Sequence, residues 1–139
     1  MRTFQIQLTD QQITDLYNQI SIKEIDSKER FKSYEDIKSY EDAREYLEDP
    51  EIKTHPFDQL QVIAKAINKL TNFEPDFKDA ITAKWYPMFK ISSSVWVFVV
   101  SHYYCYSSYG QVTYYKNNNI SDYAGKQFLN LYTKLLPTI

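Results

Sequence analysis

Apolar positions in this chain fall into short, well-separated patterns, and their periods predict the elements. Phe4, Ile6 and Leu8 alternate with polar residues, which predicts a short half-buried strand over 3–8. Thr9 and Gln12 have the spacing of a capping box, in which each side chain bonds the other's backbone N–H. Ile13, Leu16, Tyr17 and Ile20 follow at helical spacing, so a helix is expected over about 10–20. Residues 21–38 are charged and weakly periodic. Ser39 then suits an N-cap, Tyr40, Ala43 and Leu47 share one helical face, and Pro50 stops the helix. The clearest stripe comes next: Phe57, Leu60, Ile63, Ala64, Ile67 and Leu70 predict a core-facing helix over about 57–71, with Pro56 at its favoured first turn.

Beyond Pro75 the period changes. Residues 84–91 read as an extended segment that Pro87 confines to a sheet edge or a bulge. Residues 95–106 are rich in β-formers and apolar on both faces near the start, which predicts cover on both sides at that end. Ser107–Gly110 is a turn signal, so 95–106 is expected to form a long hairpin with 111–116. Asn117, Asn118 and Asn119 offer caps for a last helix over about 120–136, which buries Ile120, Tyr123, Ala124, Phe128, Leu131 and Leu135 and ends at Pro137. Gly125 costs that helix about 1 kcal/mol relative to alanine, which a close approach of helix to sheet would justify. The expected fold is therefore α+β: a small antiparallel sheet centred on the 95–116 hairpin, with the 57–71 and 120–136 helices packed on it.

A short tandem repeat interrupts the periodic reading. Lys32-Ser33-Tyr34-Glu35-Asp36 recurs as Lys38-Ser39-Tyr40-Glu41-Asp42. Its six-residue period is neither helical nor extended, and two copies do not make a solenoid.

Length and composition fit one domain over 1–139, with 139 residues and 43% apolar content. Net charge is −2, but residues 1–55 carry −5 and residues 56–139 carry +3. Nine of the 13 tyrosines lie at or after Tyr86, so the aromatic content is concentrated in the same basic-leaning part. Cys105 is the only cysteine, which excludes an intramolecular disulfide. The start of the chain lacks an apolar leader pattern and the longest apolar run, Val95–Val100, is far short of a membrane span. A cytoplasmic protein without a membrane partner is the expectation.

Several chemistries find no support in the residues. His102 and Cys105 are three apart on an expected strand and point to opposite faces, so they are poorly placed to share a metal or to form a nucleophile–base pair. With Gly110 and Gly125 as the only glycines, no phosphate-cradling loop can be built. Tyr34-x-x-x-Lys38 matches a dehydrogenase dyad in spacing but has no Gly-rich turn beside it. The carboxylates of 35–51 read as a solvated face, with an acid–base site as the third-ranked function. No cofactor is expected.

The blocks Tyr40-Glu41-Asp42-Ala43, Leu60 to Asn68, Lys84-Trp85-Tyr86-Pro87-Met88-Phe89, Gly110, Lys116 and Tyr123-Ala124-Gly125-Lys126-Gln127-Phe128 together resemble a group of small proteins of Bacteroidetes bacteria, their phages and mobile elements. The resemblance covers about 40–139 and leaves 1–39 as an N-terminal addition. It implies an accessory protein, in the host cytoplasm if phage-encoded, but no activity is established for the group. The group has an Arg-Leu-Cys-Phe-like strand after the glycine. Here that strand reads Gln111-Val112-Thr113-Tyr114-Tyr115, so no role of the arginine or cysteine transfers.

One working surface is left by elimination. Tyr104, Tyr106 and Tyr114, with Lys116 and Lys126 near the hairpin base, form a candidate aromatic and cationic patch. Three readings of it stay open: core packing under the last helix, an anchor for a protein partner, or a stacking platform for single-stranded nucleic acid. The functional expectation is a non-enzymatic protein that binds another protein, with nucleic acid as the alternative.

Overall fold

The computed structural model describes residues 7–105 and 113–139, and residues 20–28 by their backbone alone. The expected strand over 3–8, Tyr106, the 107–110 turn and the start of the 111–116 strand therefore lie wholly or partly outside the described residues. The chain divides into two compact units, Met1–Arg30 and Phe31–Ile139.

The first unit contains helix α1, Asp10–Glu29. The capping box stands as expected: Gln12 N–H donates to Thr9 Oγ1 at 3.2 Å, and Thr9 N–H donates to Gln12 Oε1 at 2.9 Å. The helix runs past the expected end at residue 20. Ile13, Leu16 and Tyr17 are all exposed.

The second unit is α+β, as the pattern predicts. Among the described residues it holds α2 (Tyr40–Leu47), α3 (Pro56–Leu70), strands β1 (Lys84–Ser92) and β2 (Val95–Tyr104), α4 (Asn118–Gln127) and α5 (Leu129–Thr133). The tandem repeat has a local meaning: each copy starts a helix. Asp36 Oδ2 accepts from the N–H groups of Lys32 and Ser33, and Ser33 closes a capping box over a single 3₁₀ turn, Tyr34–Asp36. Six residues later Asp42 Oδ2 accepts from Lys38 N–H and Ser39 Oγ from Asp42 N–H, and this start runs on as α2. The two backbone bonds hold the Asp36 carboxyl below the usual carboxylate range. Ser39→Ala removes the cap of α2 and is expected to cost about 1 kcal/mol in urea denaturation, within the usual 0.5–2 range for such caps. Unchanged stability would show that packing of Tyr40 and Ala43 alone holds this helix start.

The core lies among the helices. Ile37, Ala43, Leu60, Ile63, Ile67 and Ala124 are closed to solvent, and Tyr115, Phe128 and Tyr132 complete the cluster. The α3 stripe read from sequence is buried at Leu60, Ile63, Ala64 and Ile67. The last helix is not continuous: Phe128, with φ −106° and ψ 25°, separates α4 from α5 and sends its own ring into the core. α4 is tied to the repeat by two side chains. Tyr123 OH donates to the carbonyls of Glu35 and Ile37, and Gln127 Nε2 donates to that of Lys38.

The hairpin is formed by other strands than expected. β2 pairs antiparallel with β1, from Lys84↔Tyr104 to Ser92↔Val95, and the described part of 111–116 does not pair with it. The turn is Ser93-Ser94, with φ of 51° and 65°. Positive φ at both central residues is what a type I′ hairpin turn demands, and serine is an uncommon choice for it. Residues 113–115 instead reach the far edge of β1, where Trp85 and Tyr115 exchange backbone bonds of 3.0 and 2.7 Å. Pro87 sits beside a bulge, with Val99 as the extra residue between Met88↔Val100 and Phe89↔Phe98. α4 crosses one face of this ribbon closely. A Cβ on Gly125 would stand 2.6 Å from both Phe98 Cδ2 and Pro87 Cβ, and Ser101 Oγ donates to Ser121 Oγ nearby at 2.8 Å.

Candidate functional site

The five expected binding residues do not form one exposed patch. Tyr114 is buried, which corrects its expected exposure. Its carbonyl accepts from Asn68 Nδ2 at 2.9 Å and its ring packs edge-on to Phe77 at 5.3 Å. Pairing with α3 and the segment after it, rather than with β2, draws this residue inward. Tyr104 is half-buried and stacks on Tyr86, with centroids 5.0 Å apart. Lys116 Nζ donates to Thr71 O at 2.9 Å, where a cation satisfies a carbonyl at the C-terminal end of α3. Lys126 is exposed, with its ammonium 5.5 Å from the centre of the Phe98 ring. Tyr106 lies outside the described residues.

The hairpin nonetheless presents apolar surface, in a different place. Met88, Ile91, Val95, Val99, Val100 and Tyr103 are each more than 40% exposed. Met88 and Val100 are cross-strand partners, so they stand on one face of the ribbon, opposite the face on which Pro87 and Ser101 meet α4. The expectation that both faces of β2 are covered near its start is therefore not met. One face takes α4 and Trp96, whose Nε1 donates to Pro137 O at 3.0 Å, while Val95 stays 55% exposed.

The end of the ribbon far from the turn is built around a lysine that sequence reading passed over. Lys84 is 2% exposed, and its Nζ donates to the carbonyls of Asp79 (2.7 Å), Thr82 (3.0 Å) and Cys105 (3.1 Å). Three carbonyls use all three ammonium protons, which is how a buried ammonium is tolerated. Aromatic rings crowd the same end: Tyr86 and Tyr104 on one face, and Trp85 with Tyr103 at 4.8 Å on the other. Below them, Tyr132 OH joins Thr113 Oγ1 and Tyr115 OH in a buried hydroxyl chain. Burial pushes the Tyr132 phenol well above its ordinary value, and Tyr115 likewise upward.

Acidic groups elsewhere are engaged in local structure. Asp36, Asp42, Asp49 and Asp79 accept backbone N–H groups, and Glu41 pairs with Arg44 at 3.1 Å. His55 caps α3, its Nδ1 accepting from Phe57 N–H. No group of three or more His, Cys, Asp or Glu residues is placed to hold a metal ion among the described residues. Among the same residues, no helix is long and apolar enough to cross a membrane. A cleft of about 590 Å³ runs along α3, lined by Phe57, Ala64, Asn68, Phe73 and Phe77, with Tyr114 in its wall. Lys65, Lys69 and Glu74 in its lining are exposed. Comparison with protein-family models, with curated proteins and with solved structures found no match.

Proposed function

We propose that this chain is a non-enzymatic protein-binding module and that the β1–β2 hairpin is its binding element. The observation that carries the reading is the set of six large apolar side chains exposed on one two-stranded ribbon. Concentrated apolar exposure of this kind marks interaction sites on soluble proteins. A ribbon of two strands is also marginal alone and gains from a further strand. The mode this favours is strand addition, in which the partner's backbone pairs along β2 and its side chains cover Val95, Val99 and Val100. The nucleic-acid alternative draws less support, because Tyr114 is buried and Lys116 is bonded to Thr71. An accessory role in a mobile element is in keeping with the resemblance of 40–139.

Photo-crosslinking tests this reading. A photoreactive residue at Val99, in the cells the protein comes from, is expected to give a protein adduct. The same residue at Ile52, also an exposed apolar position, is expected to give none. Adding Val100→Lys should cut the Val99 adduct about tenfold, as loss of a central interface side chain does. Equal adducts at both positions, or none at Val99, would remove the hairpin as the binding element.

A further inference from the structure

We propose that the partner on the edge of β2 is a second copy of this chain. The two β2 strands run antiparallel across a two-fold axis and join the two hairpins into one four-stranded sheet. The inference rests on the protein-binding reading above and names its partner.

The two edges of the ribbon are treated differently. On β1, Trp85 exchanges both its backbone bonds with Tyr115 on the outer edge. Backbone groups alternate along a strand, so residue 87 presents its backbone to that same edge, and there it is a proline with no N–H to offer. Cover and proline are two of the ways in which native sheets close an edge against pairing. Lys90, further along β1, is exposed and adds a charge.

Over its ten residues, Val95–Tyr104, β2 carries no proline or acidic, lysine or arginine charge, and among the described residues no strand or bridge covers its outer edge. By the same alternation, Ser101 and Tyr103, the partners of Pro87 and Trp85, present their backbone groups outward. The bulge at Val99 is the one irregularity along a long edge of β-forming residues, and such an edge is a template for another strand.

The composition of β2 selects itself as that strand. Antiparallel pairing centred between Val99 and Val100 engages the strand on both sides of the Val99 bulge. It sets Val95 opposite Tyr104 of the other copy, Val97 opposite His102, and Val99 opposite Val100. No acidic or lysine and arginine charge meets its like in this register, and most opposed pairs are β-branched or aromatic, the kinds that stabilise a ladder. A two-fold interface needs a patch complementary to itself, which an uncharged apolar strand is. The outermost strands of the joined sheet are then the two copies of β1, whose edges are already closed.

The test is the mass of the full chain in solution, by light scattering or sedimentation across micromolar to millimolar concentrations. Twice the 16.6 kDa chain mass is expected. Val99→Lys alone and Val99→Glu alone should each give the single-chain mass with an unchanged far-ultraviolet spectrum. An equimolar mixture of the two should restore the double mass, because the opposite charges meet near the axis. Val99→Thr, uncharged and β-forming, should leave the double mass intact. A chain that keeps the single mass throughout overturns the inference, as does a double mass that neither charge disturbs. A single mass together with a Val99 adduct to a different protein would overturn self-pairing and leave the protein-binding reading standing. Loss of the Val99 adduct as well would remove both.

Discussion

Gly125→Ala is expected to lower stability by about 1–3 kcal/mol, although alanine is the better helix former by about 1 kcal/mol. The reason is the approach of α4 to the ribbon. The new Cβ would stand 2.6 Å from Pro87 Cβ and from Phe98 Cδ2. Pro87 is buried within β1 and its ring is rigid, so the strain must be relieved by moving α4 away or by turning Phe98. Moving α4 would also stretch the Ser101–Ser121 bond and the two carbonyl bonds made by Tyr123. Thermal unfolding should show a midpoint lower by roughly 3–5 °C for each kcal/mol lost. Gly125→Val adds branching to the same clash and should fall further. A midpoint equal to or above that of the unsubstituted chain would mean that the helix stands further from the sheet than these distances say.

The second large effect is expected at alkaline pH. Tyr115 and Tyr132 are buried, and desolvation raises both phenols above the value near 10 that they have in an unfolded chain. The folded protein therefore keeps protons that the unfolded chain gives up. The stability contributed by these phenols is complete below about pH 10 and is lost as pH rises through the raised folded values. Tyr123, pushed up to about 12 mainly by burial and then by the charge of Glu35, adds to the same slope. Unfolding above pH 10 should be cooperative, with tyrosinate absorbance of the buried rings appearing together with the loss of helix. Tyr132→Phe should flatten this dependence. At neutral pH it should cost about 1–3 kcal/mol, because the Thr113 and Tyr115 hydroxyls lose their shared partner in a closed site. Smooth ionisation of every tyrosine without unfolding would contradict the burial of the pair.

Legibility of this fold in its sequence followed the range of the interactions. Thr9 with Gln12 and Ser39 with Asp42 are contacts over three residues, and their chemistry is visible in the residues themselves. The α3 stripe and the role of Gly125 were readable for the same reason, since a helical period and an isolated glycine each carry a local cost or gain. The partner of β2 was not readable. Ser107–Gly110 advertises a turn by composition, while Ser93 and Ser94 adopt positive φ without the residues that normally signal it. With the Ser93-Ser94 turn unmarked in the sequence, β1 is not the strand expected beside β2. Tyr114 looked like an outward strand residue, but its position is fixed by Asn68, 46 residues earlier, which donates to its carbonyl. The break at Phe128 was hidden as well, because neither proline nor glycine marks it. The six-residue repeat had a clear pattern and no evident purpose until both copies proved to be helix starts.

Lys84 gives the hairpin a property that strand pairing alone does not. Its ammonium, at the first residue of β1, holds the carbonyl of Cys105, just past the last residue of β2, while Ser93 and Ser94 join the other ends covalently. The ribbon is thus fastened at both ends like a clasped buckle. Peeling β1 from β2 would take the ammonium from the Cys105 carbonyl, while its bonds to Asp79 and Thr82 stay within the segment that leads into β1. Exchange of whole strands between molecules, the usual hazard of a bare hairpin, is opposed by the bond to Cys105. An incoming strand would meet the outside of β2 with this clasp in place, so the pairing proposed above would proceed by accretion and leave each folded unit intact.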